Sequence, residues 1–137
     1  MVQVSSLLIP SIGVALTVFS SGAGLWDARQ WDMLEKNAQQ VMQHGAYKYP
    51  YHDFIAAHSS PPAGYTGTHG ASFAQLPEIR NNALIIHNRT RYRVRETLVV
   101  SPEEVHLFNE HKNSLVLITC YPVGTTKERF VVVADTY

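Results

Sequence analysis

The chain has one cysteine, Cys120, and its setting makes it the first candidate for chemistry. It closes the apolar run Leu115-Val116-Leu117-Ile118-Thr119 and is followed at once by the turn-forming Tyr121-Pro122-Val123-Gly124, a pattern that puts the thiol at the end of a strand. A thiol is a poor nucleophile until it ionises. At a reference pKa of ~8.5 only about three per cent is thiolate at neutral pH, so a reactive cysteine needs a base or a cation beside it. His58 closes a second apolar run, Phe54-Ile55-Ala56-Ala57, and opens the long irregular stretch Ser59 to Gly70, which holds two adjacent prolines and three glycines. Arg129 follows Cys120 by nine residues and begins the last apolar run, so a hairpin through Pro122 and Gly124 would return its guanidinium to the thiol. Arginine cannot serve as a base, but its rigid fork of donors suits an oxyanion or a peptide carbonyl. Each residue taken singly also has a plain structural explanation: a small buried thiol, a satisfied core histidine, a solvated arginine.

The elements that must hold these groups are mostly strands. Gln3 to Ile9 and Val14 to Ser20 read as two strands joined by Pro10-Ser11-Ile12-Gly13. Pro10, Gly13 and the lack of a basic leader argue against reading this apolar stretch as a signal peptide or a membrane span. Trp31, Leu34, Ala38, Val41 and Met42 recur at helical spacing, with Asp27 and Gln30 as a capping pair and Gly45 as a stop, which predicts one long helix. From Ala83 the period becomes two: an apolar run to Asn88, then Arg91 to Arg95 alternating charged with apolar before Leu98-Val99-Val100. The arginines read as a wet strand face, since no aromatic row is interleaved with them. Ser101-Pro102-Glu103-Glu104 carries an N-cap, a proline at the first helical position and a capping-box glutamate, predicting a short helix to about Asn109. Leu115 to Tyr121 and Phe130 to Val133 close the chain as strands. The whole is a mainly β domain of seven or eight short strands, a barrel or a sandwich.

Composition narrows the function classes. The 137 residues suit one domain, and 45% apolar content suffices for one core. Eleven basic residues balance eleven acidic ones, so no global field draws the chain to nucleic acid or anionic lipid. Seven histidines raise the question of a metal, but they are scattered and lack the i, i+4 pairing of a helical zinc site. No metal and no cofactor are expected, and no acidic cluster suggests calcium.

One segment resembles a known signature. Leu117-Ile118-Thr119-Cys120-Tyr121-Pro122-Val123-Gly124, continuing through Thr125-Thr126-Lys127-Glu128 to Arg129, is similar to the cysteine motif of the sortases. Phe54 to Ser59 resembles their histidine strand, Leu8 to Val14 their opening strand, and Tyr92-Arg93-Val94 with Val99 to Pro102 the strand and helix start before the active-site loop. The likeness spans almost the whole chain. It departs at Ala57, where the family usually has glycine, and at Val116, where it usually has threonine. Neither change removes a reacting group. His69, just before Gly70-Ala71-Ser72-Phe73, is a rival to His58, which is preferred because it ends an apolar strand.

The resemblance implies a closed β-barrel of seven to eight strands with one longer helix and short helices in the connections. It implies a cysteine transpeptidase that cleaves a Leu-Pro-x-Thr-Gly-like sorting signal through a thioester on Cys120 and passes the acyl group to an amine, a cell-wall precursor or a pilin lysine. His58 would be the acid/base, Arg129 the oxyanion donor, and Thr119 a lining residue of the substrate site. At reference pKa values of ~8.5 and ~6.5, about one per cent of molecules would hold thiolate and imidazolium together at neutral pH, so a slow enzyme is expected. Family members work outside the cytoplasm on an N-terminal membrane anchor, which a sequence opening at the first strand is expected to lack. The alternatives are a peptide-binding module that has lost transpeptidation and a cysteine hydrolase that passes its acyl group to water.

Overall fold

The computed structural model describes residues 3–20, 42, 45–48, 53–59, 71–104 and 114–137. Its strands are β1 (Gln3–Ile9), β2 (Val14–Ser20), β3 (Ala46–Lys48), β4 (Asp53–Ala56), β5 (Leu84–His87), β6 (Thr90–Val100), β7 (Ser114–Tyr121) and β8 (Glu128–Thr136). They close into one barrel in the order β1-β2-β3-β4-β7-β8-β6-β5, with β5 returning to β1. Closure gives each described strand a neighbour on both sides. A barrel, not a sandwich, is the answer to the choice left open by the strand count.

Turn chemistry sets the antiparallel registers. Pro10 opens a single 3₁₀ turn to Ile12, and Gly13 ends it in the left-handed region at φ 69°, its N–H donating to the Pro10 carbonyl at 3.2 Å. The result is the β1–β2 hairpin, paired from Gln3–Ser20 to Ile9–Val14. β5 stops at His87 because Asn88 and Arg89 form a two-residue turn with φ of 50° and 70°. β6 runs unbroken from Thr90 to Val100, through a register shift between Val94 and Glu96, so what reads as two runs is one bulged strand. At Gly45 a Cβ would stand 2.5 Å from the Thr17 carbonyl oxygen, so the chain can enter β3 against β2 only without a side chain there.

Two of the pairings are parallel, β2 with β3 and β4 with β7. All eight strands feed the barrel interior, where Leu7, Val18, Ile55, Ile85, Leu117 and Val132 are wholly buried. A second apolar cluster lies on the outside of one wall: Tyr47, Phe54, Ala56, Val116, Ile118, Val131 and Val133, with Met42 packed in and Leu98 and Val100 at its margin. β7 is therefore covered on both faces over Ser114 to Thr119, which explains its continuous rather than alternating apolar run.

The arginines of β6 do face solvent. Arg95 pairs with Asp135 at 3.2 Å, and Arg93 donates to the Asn82 carbonyl at 3.0 Å while lying 4.6 Å over the Tyr137 ring. Beyond β6, Pro102 to Glu104 form a 3₁₀ turn, with Ser101 donating to the Glu104 carboxylate from its N–H at 3.2 Å and its hydroxyl at 2.9 Å. That is the glutamate half of the capping box read in the sequence, the Glu104 N–H going to the Ser101 carbonyl and not to its hydroxyl; the continuation to Asn109 lies outside the described residues, as does the helix expected around Trp31 to Val41.

Candidate active site

Cys120 is the penultimate residue of β7, half-buried at the strand's end. Its cross-strand partner in β8 is Arg129. The hairpin read from the nine-residue step thus puts the two residues directly opposite each other, where Cα atoms of an antiparallel pair stand about 4.5–5.5 Å apart. Their side chains leave the same face. Ile118 and Val116, two and four residues before Cys120, and Val131 and Val133, two and four after Arg129, all belong to the outer cluster.

The other neighbour of β7 is β4, whose last paired residues are Ala56 and Ile118. Two residues further along each parallel strand come His58 and Cys120. The Ala57 N–H donates to the Ile118 carbonyl at 3.3 Å and keeps the chains side by side past the end of β4. The His58 carbonyl accepts a 2.8 Å bond from Phe73 N–H, and Phe73 is wholly buried in the interior cluster. The structure thus brings Cys120, His58 and Arg129 to one end of one wall. His69 lies outside the described residues.

His58 itself is buried, and desolvation there holds its imidazole below the ordinary histidine pKa, because burial disfavours the cation. Arg129 is half-buried. One terminal nitrogen, Nη1, donates to the carbonyls of Thr126 and Glu128, each at 3.0 Å. Since Nη1 carries two N–H groups, these two bonds occupy it and leave the donors of the Nε and Nη2 edge of the fork out of them. The same turn is braced by Thr125, whose N–H and hydroxyl both donate to the Pro122 carbonyl at 2.9 Å, and by the Tyr121 ring, 5.6 Å from that of Phe130. The Tyr121–Pro122 peptide bond is cis.

Thr119 points the other way, as strand alternation requires. It is 3% exposed, and its hydroxyl donates to the Ala57 carbonyl at 2.7 Å. Its proton therefore goes to the chain that carries His58. Phe73 and the buried Ser59, whose hydroxyl has no partner among the described residues, are neighbours to which the sequence reading gave no role. No spacing rule would have found Phe73, fifteen residues beyond His58.

A family model describing the sortase domain matches residues 7–137, a span that includes every residue of this site. The chain belongs to the sortase family. The fold agrees: sortase C-1 from Actinomyces oris superposes with a TM-score of 0.72 at 17% identity, covering 97% of this chain and 72% of that one. Sortase A from Listeria monocytogenes gives 0.69 at 20%, covering 97% and 86%, and a pilus-related sortase C of Group B Streptococcus 0.71 at 19%, covering 98% and 67%. No curated protein matches this sortase in sequence. The closed eight-stranded barrel is the sortase fold, and membership supports a transpeptidase-type role in general. Among the described residues no three of His, Cys, Asp and Glu converge as metal ligands.

Proposed function

We propose that this sortase is a cysteine transpeptidase with Cys120 as nucleophile, His58 as acid and base, and Arg129 as donor to the oxyanion. The observation that carries it is the flanking of Cys120 by two strands, Arg129 its direct partner on one side and the residue after Ala57 on the other. The thiolate attacks the carbonyl carbon of the scissile peptide in a Leu-Pro-x-Thr-Gly-like sorting signal, and the carbonyl oxygen takes the negative charge beside Arg129. Collapse of this adduct breaks the C–N bond, and imidazolium at His58 protonates the departing amine, leaving a thioester on Cys120. Neutral His58 then takes the proton from an incoming amine as that amine attacks the thioester and displaces the thiolate. Fittingly, a half-buried thiol at a strand end is both reachable and fixed in position.

The acyl donors proposed are secreted proteins bearing such a signal; the acceptors are amines of a cell-wall precursor or a pilin lysine, and the place of action is the extracytoplasmic face of the membrane. Intact-mass spectrometry of the chain mixed with sorting-signal peptides tests this. A mass increase on Cys120 equal to the acyl fragment, discharged by an added amine to a peptide–amine product, is expected. Discharge only to water would identify a hydrolase, and no adduct from any peptide of this class would overturn the proposal. His58→Ala should abolish the adduct while His69→Ala keeps it; the opposite result moves the acid/base role to His69.

A further inference from the structure

The ladder between β4 and β7 ends in an unusual way. After the bond from Ala57 N–H to the Ile118 carbonyl, a continued parallel ladder would give the Ala57 carbonyl the N–H of Cys120. Among the described residues the Ala57 carbonyl instead receives the Thr119 hydroxyl, at 2.7 Å and out of water. A side-chain bond has taken the place of the next backbone rung, one residue before His58 and one before Cys120.

That substitution matters because of what surrounds it. Among the described residues, backbone and hydroxyl bonds anchor the Ala57–His58 segment to Ile118 and Thr119 on the nucleophile's strand and to Phe73 in the core. Of these, the Thr119 bond both ties the histidine's chain to the residue adjoining the nucleophile and takes the place of the nucleophile's own amide in the ladder. Removing it leaves a buried carbonyl without a donor, a loss costly enough for the strands to rearrange around it, and the nearest replacement is the Cys120 N–H. Zipping that rung would pull Cys120 and the Ala57–His58 chain together along a new path and change how thiol and imidazole meet.

We propose that Thr119 is a positioning residue, whose hydroxyl stops the β4–β7 ladder at Ala57 and thereby sets the placement of His58 against Cys120. The inference rests on the thiol–imidazole pairing proposed above and gives Thr119 a task other than lining the substrate site. Serine can perform that task and valine, equal in shape to threonine, cannot.

The test compares Thr119→Val and Thr119→Ser with the parent chain, all three checked for the same cooperative thermal unfolding. The first readout is the rate of Cys120 alkylation by iodoacetamide from pH 5 to 10. In the parent it should rise in two steps, the lower one set by His58 and absent in His58→Ala. Thr119→Val should lose that lower step and Thr119→Ser should keep it. With a sorting-signal peptide, Thr119→Val should lower kcat by about ten- to a hundredfold, the scale of an ångström-level misplacement, with KM within about twofold, and serine should restore it. A valine variant with a parental alkylation profile and a raised KM would overturn the proposal in favour of direct substrate contact. One with lowered thermal stability but parental profile and kcat would reduce the bond to a structural one. If the parent turns over no peptide, the function proposed above fails, yet the alkylation profiles still decide the role of Thr119.

Discussion

The two walls of this barrel are built differently. The wall of β4, β7 and β8 is apolar on both faces, with Leu117 and Val132 inside and Val116, Ile118, Val131 and Val133 outside, all at most 4% exposed. The wall of β1, β2 and β5 is fully buried only on its inward face. Its outer face leaves Val4 at 65% and Leu8 at 39% exposed, and the adjoining half of β6 carries Arg91, Arg93 and Arg95 in solvent. A strand packed from both sides can neither slide nor tilt without opening a void, so its end is a fixed point. Cys120, Arg129 and the chain leading to His58 all leave from that doubly packed wall. The geometry proposed for acyl transfer thus follows from where the strands are covered on both faces.

The largest effect that separates the walls is chemical. Cys120→Ala should abolish thioester formation altogether while unfolding at the parental temperature, since a half-buried strand-end thiol contributes little packing. A polar change on the other wall, Leu8→Ser, should leave turnover intact. Residual acylation in the alanine variant, read by intact mass, would break the assignment of the nucleophile.

Next in size is Arg129→Lys. Arg129 uses Nη1 to hold the Thr126 and Glu128 carbonyls and keeps a separate edge for the oxyanion in the proposed reaction, whereas one ammonium cannot serve both directions. Loss of a single oxyanion donor typically costs about 10²–10³ in kcat, and the lysine variant should fall in that range with KM changed far less. A loss in KM alone would make Arg129 a docking residue for the peptide.

These comparisons also divide what the sequence revealed from what it hid. The β1–β2 hairpin, the β7 run and the step from Cys120 to Arg129 were legible because each depends on local signals: Pro10 and Gly13, a stretch of branched apolar residues, Pro122 and Gly124. The alternation of Arg91 to Arg95 likewise announced a wet face. What stayed hidden depends on distant partners. The parallel pairing of β4 with β7 joins Ala56 to Ile118 across sixty-two residues, and no local pattern specifies it. The bond from Thr119 to Ala57 exists only once that pairing has formed, so threonine in an apolar run read as a possible lining residue rather than as a tie between strands. β6 read as two runs because the bulge at Val94 to Glu96 shifts the alternation midway.

Packing supplies the third contrast. Leu117→Ala, at a wholly buried position in the doubly packed wall, should cost about 2–5 kcal/mol of folding stability. Leu8→Ser on the exposed face should stay within about 0.5 kcal/mol. Urea unfolding of the two variants measures both. Equal losses would mean that the outer face of β1 is covered in solution and that the walls are not distinct.

The smallest predicted effect concerns protons at the end of the dense wall. Burial holds the His58 imidazole below its ordinary pKa, so between the folded value and about 6.5, the reference value for an exposed histidine, the unfolded chain binds more protons than the folded one. Stability then increases with pH across that window: the contribution of neutral, buried His58 is complete above about pH 6.5 and is lost as the pH falls through the folded pKa. Replacing His58 with asparagine should flatten this part of the stability curve, measured by urea unfolding at pH 7.5 and 5. The same depression has a kinetic side. It makes imidazolium scarcer near neutrality, which lowers the share of molecules with thiolate and imidazolium together, and it moves the acid limb of kcat/KM below 6.5. An acid limb above 6.5 would mean that the thiolate's charge beside His58 outweighs its desolvation, and the dense packing that fixes the histidine in place would then not be what tunes it.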